Sequence, residues 1–329
     1  MRDRIFIHAG FPKAASTTLQ RHLFNRHSEI QYLGLYPLRN IGIDTVEDEV
    51  SAVYLQDEEL RSFYNNIVDL DVIEYEASAN KRLFESVTEK YIDSAGKCMV
   101  LSNEKLTSVF FAHCDNGVKA ERLADLFPGA KVILVIRNQY DWLKSQYRDH
   151  PFDPRNFAIG KPVSLDDWFK IAFWNKHIKL FQMLNYIDII DYYAKLFGEA
   201  NVGIFLFEEL SQDVAAFSRK ISSFMGINRL ETANLLAGKH ENKGVSRRYN
   251  VYRACKRKYL GWFSRNRILS ARLEGVLDAY LKSGKAADYA LSPENLSRVE
   301  KYFSPGNRKL AEKYELDLEK YGYFVQRAF

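Results

Sequence analysis

Four short apolar runs, Arg4–Ala9, Lys97–Leu101, Lys131–Ile136 and Val202–Phe207, constrain this chain more than any other feature. Each is the length of one strand. Each is mainly apolar rather than alternating, the pattern of a strand buried on both faces. Helical patterns separate them. The combination predicts an α/β fold, with a central parallel β-sheet flanked by helices. In such sheets ligands bind beyond the C-terminal ends of the strands, so the residues that follow each run are the place to look for function.

The intervening segments read as helices. Residues 44–93 form a predicted helical insertion, mostly polar on one face and bounded at about 40–95. A helix is predicted over 164–183, with Ser164 as its N-cap. Asn185–Phe197 and Gln212–Met225 end at Gly198 and Gly226, where helices commonly stop. Pro293–Tyr314 reads as two helices broken near Pro305 and Gly306. No repeat or linker divides the sequence, which predicts a single domain over 1–329 with a helical C-terminal part at about 245–329.

The first run is followed by Gly10-Phe11-Pro12-Lys13-Ala14-Ala15-Ser16-Thr17-Thr18-Leu19. A strand turning sharply into a helix aims free backbone N–H groups and the positive end of the helix dipole at one point, which suits an anion. Gly10 lets the backbone turn, Lys13 adds charge, and Ser16, Thr17 and Thr18 add hydroxyl donors. The lysine spacing does not fit the nucleotide-triphosphate loop Gly-x-x-x-x-Gly-Lys-Ser/Thr. The third run ends in Arg137-Asn138-Gln139-Tyr140-Asp141, and Ser145 and Tyr147 follow. An arginine at a strand end can grip a phosphate through two N–H groups. Asp141 suits a helix N-cap, and Ser145 one turn later can converge with Arg137 on one phosphate. The second run leads into Ser102-Asn103-Glu104, where a carboxylate at the ligand rim can act as a general base. His8 and His113 are alternative bases.

These two stretches, in this order, resemble those of the sulfotransferases that use 3′-phosphoadenosine 5′-phosphosulfate (PAPS). The family's phosphosulfate loop is Pro-Lys-Thr-Gly-Thr-Thr-x-Leu. Pro12, Lys13, Ser16, Thr17 and Leu19 fit it, while Ala14 and Ala15 replace the threonine and the glycine. Its 3′-phosphate pattern, Arg-Asn-Pro-x-Asp-x-x-x-Ser-x-Tyr, is met by Arg137, Asn138, Asp141, Ser145 and Tyr147. The bacterial carbohydrate-type members carry Ser-Ser-Glu where this chain has Ser102-Asn103-Glu104.

The resemblance implies the P-loop-like sulfotransferase fold and transfer of a sulfuryl group from PAPS to an acceptor hydroxyl or amine, without a metal. It implies Glu104 as base, with His8 as its rival, and Lys13 at the leaving group. The donor would be bound by Gly10, Lys13, Ala15, Ser16, Thr17 and Thr18, and by Arg137 and Ser145. Lys243, Gly244 and Arg247 would come from a late loop over the nucleotide. The acceptor would be a glycan, a glycolipid or a small alcohol.

Residues 243–267 carry nine basic residues and no acid, more than the whole net charge of +5. Interleaved aromatics, Tyr249, Tyr252, Tyr259 and Trp262, suit a polyanion. No nucleic-acid-reading motif accompanies them, so no nucleic acid is expected as a partner. A core-packed surface helix, a glycan site and peripheral contact with an anionic membrane are the competing readings. A nucleic-acid-binding protein and an ATP-dependent kinase are the rival functions. No apolar stretch reaches the roughly eighteen residues of a membrane span, and no signal-peptide pattern opens the sequence. Cys98, Cys114 and Cys255 have no metal-ligand spacing and read as reduced thiols of a cytoplasmic protein.

Overall fold

A computed structural model of the chain describes residues 4–34, 57–91, 96–108, 114–149, 163–176, 180–239, 280 and 289–325. Five parallel strands form one sheet: β1 (Ile5–His8), β2 (Ile30–Gly34), β3 (Cys98–Ser102), β4 (Lys131–Ile136) and β5 (Val202–Leu206). Their order is β2-β3-β1-β4-β5. All four strands expected from the sequence are present. The additional one, β2, lies at the edge beside β3, and its Gln31 interrupts the apolar run that marks the others.

The order places β1 at the centre. From it the chain moves to the far edge at β2, returns through β3, and then crosses to β4 on the other side. The end of β1 is therefore the point where the winding reverses, the place at which sheets of this kind bind ligands.

The helices are α1 (Ser16–Thr18), α2 (Glu58–Val68), α3 (Ala77–Tyr91), α4 (Asn116–Leu126), α5 (Gln139–Asp149), α6 (Leu165–Trp174), α7 (Leu180–Leu184), α8 (Tyr186–Phe197), α9 (Phe207–Gln212), α10 (Val214–Met225), α11 (Arg229–Leu236) and α12 (Pro293–Tyr314). Side-chain caps explain where several begin. Asp57 accepts from the Leu60 amide at 2.8 Å, Ser164 from Asp167 at 3.1 Å, Asp213 from Ala216 at 2.9 Å and Asn228 from Glu231 at 3.0 Å. Within residues 44–93 the described part forms α2 and α3, joined by a non-helical turn. The helix expected over 164–183 is divided into α6 and α7.

α1 runs directly into a π-helical stretch, Leu19–Phe24. Alternation along β1 sends Phe6 and His8 to one face. There Phe6 meets Phe224 of α10 with ring centroids 6.1 Å apart, and His8 meets Phe24 at 5.2 Å. The π-helical stretch and α10 thus share that face of the sheet.

Pro293–Tyr314 is one continuous helix, not the broken pair expected from Pro305 and Gly306. Packing overrides the proline's lost donor. Val299, Phe303, Asn307 and Leu310 recur at helical spacing, and all are buried. Gly306 serves contact instead of breakage. A β-carbon there would lie 2.5 Å from Asn185 Oδ1, so glycine lets α12 approach the start of α8.

Candidate active site

The loop after β1 is built by four carbonyls in succession, each bonded from behind. Thr107 Oγ1 donates to the Gly10 carbonyl at 2.9 Å. The Ala14 amide donates to Phe11 at 3.2 Å. Trp142 Nε1 donates to Pro12 at 2.6 Å, and Arg137 Nη1 to Lys13 at 2.9 Å. Apart from the loop's own Ala14 amide, the donors come from the segment after β3 and from the end of β4 with the helix α5 that follows it, so the ends of the two strands that flank β1 hold one loop.

Its backbone turns sharply. φ is +66° at Lys13 and +65° at Ala15, with Ala14 between them on the negative side. Alternating signs of this kind curl successive amides around a common point, an arrangement that cradles anions. Ala15 adopts the left-handed conformation glycine favours, with ψ 18°. The Ala15 side chain costs about 1–2 kcal/mol in that conformation. Gly10 is needed for close approach. A β-carbon on it would lie 2.5 Å from Ser16 Oγ and 2.6 Å from His8 Cε1. Ser16, Thr17 and Thr18, the first turn of the helix, are all buried.

The Arg137–Asn138 turn is held as firmly. Tyr186 Oη donates to the Arg137 carbonyl at 2.7 Å, and the Asn138 amide donates to Glu208 Oε1 at 2.8 Å. Tyr323 Oη donates to the other oxygen of Glu208 at 3.0 Å, and burial raises the pKa of this carboxyl. Asn138 Oδ1 accepts from the amides of Tyr140 at 2.9 Å and Asp141 at 3.2 Å. Asn138 is therefore the cap of α5. Asp141, expected in that role, is paired with Lys144 at 2.8 Å.

Arg137 lies over the Phe207 ring, 4.3 Å from its centroid. Its Nε is buried without a hydrogen-bond partner. Burial pulls the pKa of the guanidinium down, and the nearby Asp141 and Glu208 carboxylates counter this. One nitrogen of Arg137 thus secures the loop after β1, and its Nε–H stays buried without an acceptor. Ser145 stands half-buried on α5, eight residues on.

Glu104 opens a short 3-10 turn, Glu104–Leu106, directly after β3. The register of β1 and β3, His8 opposite Ser102, puts Gly10 and Glu104 level at the same rim. A buried lysine fixes this segment. Lys119 Nζ, fully enclosed on α4, donates to the carbonyls of Lys105 at 3.0 Å and Ser108 at 2.7 Å. Burial pushes its pKa down to about 8.

His8 is fully buried behind the loop, with Nδ1 2.7 Å from Ser102 Oγ, which also accepts from Gln20 Nε2 at 2.9 Å. Burial pushes the pKa of His8 down to about 3, so the imidazole is neutral at physiological pH.

The loop residues Gly10, Lys13, Ala15, Ser16, Thr17 and Thr18 thus follow β1 directly, Arg137 is bonded to that loop, Glu104 follows the neighbouring strand β3, and Ser145 stands on α5. His113, Lys243, Gly244, Arg247 and the basic run lie outside the described residues. Thr107, Trp142, Glu208, Tyr186 and Lys119 are supports that the sequence did not disclose. Glu208 had one signal, an acid two residues beyond a strand end. Among the described residues, no group of three or more His, Cys, Asp or Glu side chains could hold a metal ion. No helix there is long and apolar enough to cross a membrane.

No protein-family profile matches the chain, and no curated protein matches it in sequence. Solved structures do match. A sulfotransferase from Alicyclobacillus acidocaldarius is 16% identical, with a TM-score of 0.51 over 98% of this chain and 99% of that one. The chain has the sulfotransferase fold. Mouse sulfotransferase SULT7A1, complexed with PAP, is 14% identical over 96% of this chain and 89% of that one, with a TM-score of 0.46. The sulfotransferase domain of the Synechococcus PCC 7002 olefin synthase is also 14% identical, at a TM-score of 0.42, covering 95% and 94%. In the sulfotransferase fold seen here, the loop after β1 and the turn after β4 meet through the Arg137–Lys13 bond.

Proposed function

We propose that this protein is a sulfotransferase, moving a sulfuryl group from PAPS to an acceptor hydroxyl or amine. The observation that carries the reading is the bond from Arg137 Nη1 to the Lys13 carbonyl at 2.9 Å. It joins two sequence motifs, each suited to one phosphate, across 124 residues of chain at two neighbouring strand ends. The residues fit such a donor. The curled loop offers amides to the 5′-phosphosulfate, and the buried, unpartnered Nε of Arg137 faces a need that a 3′-phosphate meets.

PAPS supplies an activated sulfuryl group whose leaving group is a phosphate. The protein's part is positioning and charge stabilisation. The loop amides and Thr17 orient the phosphosulfate. Lys13 stabilises negative charge that grows on the bridging oxygen as the sulfur–oxygen bond breaks. Glu104 takes the proton that the acceptor loses as its new bond to sulfur forms. Glu104 is favoured over His8 because His8 is enclosed behind the loop. His8 instead packs beneath Gly10 and bonds to Ser102.

The whole chain is read as one domain, acting in the cytoplasm on a carbohydrate, glycolipid or small alcohol. Arg247, Lys243 and Gly244 complete the nucleotide site in this reading, and the basic run at 243–267 meets an anionic acceptor or membrane surface. The test is incubation with sulfur-labelled PAPS and a panel of such acceptors, comparing the natural protein with Glu104→Gln. Transfer to one acceptor class, lowered about a hundredfold or more in the variant at unchanged donor affinity, supports the assignment. Normal turnover in the variant places the base elsewhere.

A further inference from the structure

The 3′-phosphate motif accounts for Arg137 and Ser145 but leaves a charge on α5 unexplained. Arg148 stands one turn beyond Ser145, and its Nε is buried without a hydrogen-bond partner. Among the described residues it makes no hydrogen bond and no ion pair. The other cation on this helix, Lys144, is committed to Asp141 at 2.8 Å and to the Tyr140 ring, 4.5 Å from its centroid. A buried guanidinium N–H left unmatched is destabilising.

The geometry of α5 says where Arg148 reaches. Positions 141, 145 and 148 form one stripe at i, i+4 and i+7. Helical side chains lean toward the N-terminus, which carries the Arg148 guanidinium back over Ser145 toward the end of β4. There it comes near enough to Arg137 for the two charges to repel. Arg137 has its own buried, unpartnered Nε. Two neighbouring arginines thus each keep a buried N–H without an acceptor. A dianion between them would relieve both the repulsion and the two unmatched donors.

We infer that Arg148 is a second arginine of the 3′-phosphate site, closing on the phosphate from the α5 side opposite Arg137. The inference rests on the PAPS reading above and adds a specificity-determining residue to it. With two guanidiniums, the site distinguishes a nucleotide bearing a 3′-phosphate from one that lacks it more strongly than Arg137 and Ser145 do by themselves.

Calorimetric titration with adenosine 3′,5′-bisphosphate and with adenosine 5′-phosphosulfate, which has no 3′-phosphate, tests this. The natural protein should prefer the bisphosphate. Arg148→Ala should weaken the bisphosphate about tenfold to a hundredfold and leave the phosphosulfate within about twofold. Arg148→Lys keeps the charge without the Nε donor and should fall between, with an unchanged melting temperature showing that the fold is intact. Unaltered bisphosphate affinity in Arg148→Ala overturns the inference alone. So does an equal loss of both ligands, which would make Arg148 a scaffold residue. A natural protein that binds the two ligands equally removes the 3′-phosphate site itself, and this inference with it.

Discussion

Adjacent alanines in the anion loop should respond oppositely to the same substitution. Ala15 sits at φ +65°, ψ 18°, while Ala14 has negative φ and is fully buried. Glycine at position 15 relieves about 1–2 kcal/mol of left-handed strain. Glycine at position 14 relieves none. Both substitutions loosen the unfolded chain by a similar amount, so that cost cancels in the comparison. Each removes a methyl group, worth at most about 0.8 kcal/mol, and the loss is greater at the enclosed Ala14 than at the half-buried Ala15. Together these put Ala15→Gly about 2 kcal/mol above Ala14→Gly in stability. Urea unfolding of the two variants beside the natural protein measures the difference directly. Equal stabilities, or Ala15→Gly as the weaker of the two, would refute the left-handed loop and the reasoning built on it.

Other predictions concern the supports of the site. The Lys119 pKa is pushed down from 10.5 to about 8, so the folded protein favours the neutral amine. Stability contributed by Lys119 must therefore rise with pH between about 8 and 10.5, by on the order of 2 kcal/mol at pH 10. The difference in unfolding free energy between the natural protein and Lys119→Met, measured at pH 7.5 and pH 10, should grow by that amount; a constant difference contradicts it. The neutral amine keeps two N–H groups for its two carbonyls, so the turn bearing Glu104 should hold throughout. Arg137→Ala should weaken adenosine 3′,5′-bisphosphate by about 2 kcal/mol or more. It should also weaken adenosine 5′-phosphosulfate to a smaller extent, because the bond to the Lys13 carbonyl is lost. Phosphosulfate binding that is unaffected would show that this bond does not shape the loop.

The sheet was legible because burial on both faces leaves a mark in the sequence. β1, β3, β4 and β5 read as mainly apolar runs, whereas Gln31 in the middle of β2 hid that strand. Local chemistry announced the helix starts at Ser164 and the ends at Gly198 and Gly226. It misled at Pro305, where the buried stripe of α12 outweighs one missing donor, and at Asp141, where Asn138 already satisfies the amides. The candidate donor-site residues could be proposed from the sequence because they follow strand ends in a fixed order. Their supports were not. Trp142, Thr107 and Tyr186 act through single bonds to backbone carbonyls far away in the chain, and a carbonyl carries no residue identity for a sequence to display. The sign of φ at Ala15 was likewise hidden, since alanine by itself favours negative φ and only the bonds that hold the loop impose the positive one.

The claim that the β1 loop and the β4 turn together form a PAPS site, rather than a nucleoside-triphosphate site, is tested most directly by ligand-induced thermal stabilisation. Melting temperatures are measured with adenosine 3′,5′-bisphosphate and, separately, with ATP and magnesium at the same concentration. A ligand bound only by the folded state stabilises it by about 2.7 kcal/mol at a hundredfold excess over its dissociation constant. The bisphosphate should raise the melting temperature by several degrees, with the rise reduced in Arg137→Ala, and ATP–magnesium should leave it near that of the free protein. A rise with ATP–magnesium and none with the bisphosphate would contradict the account.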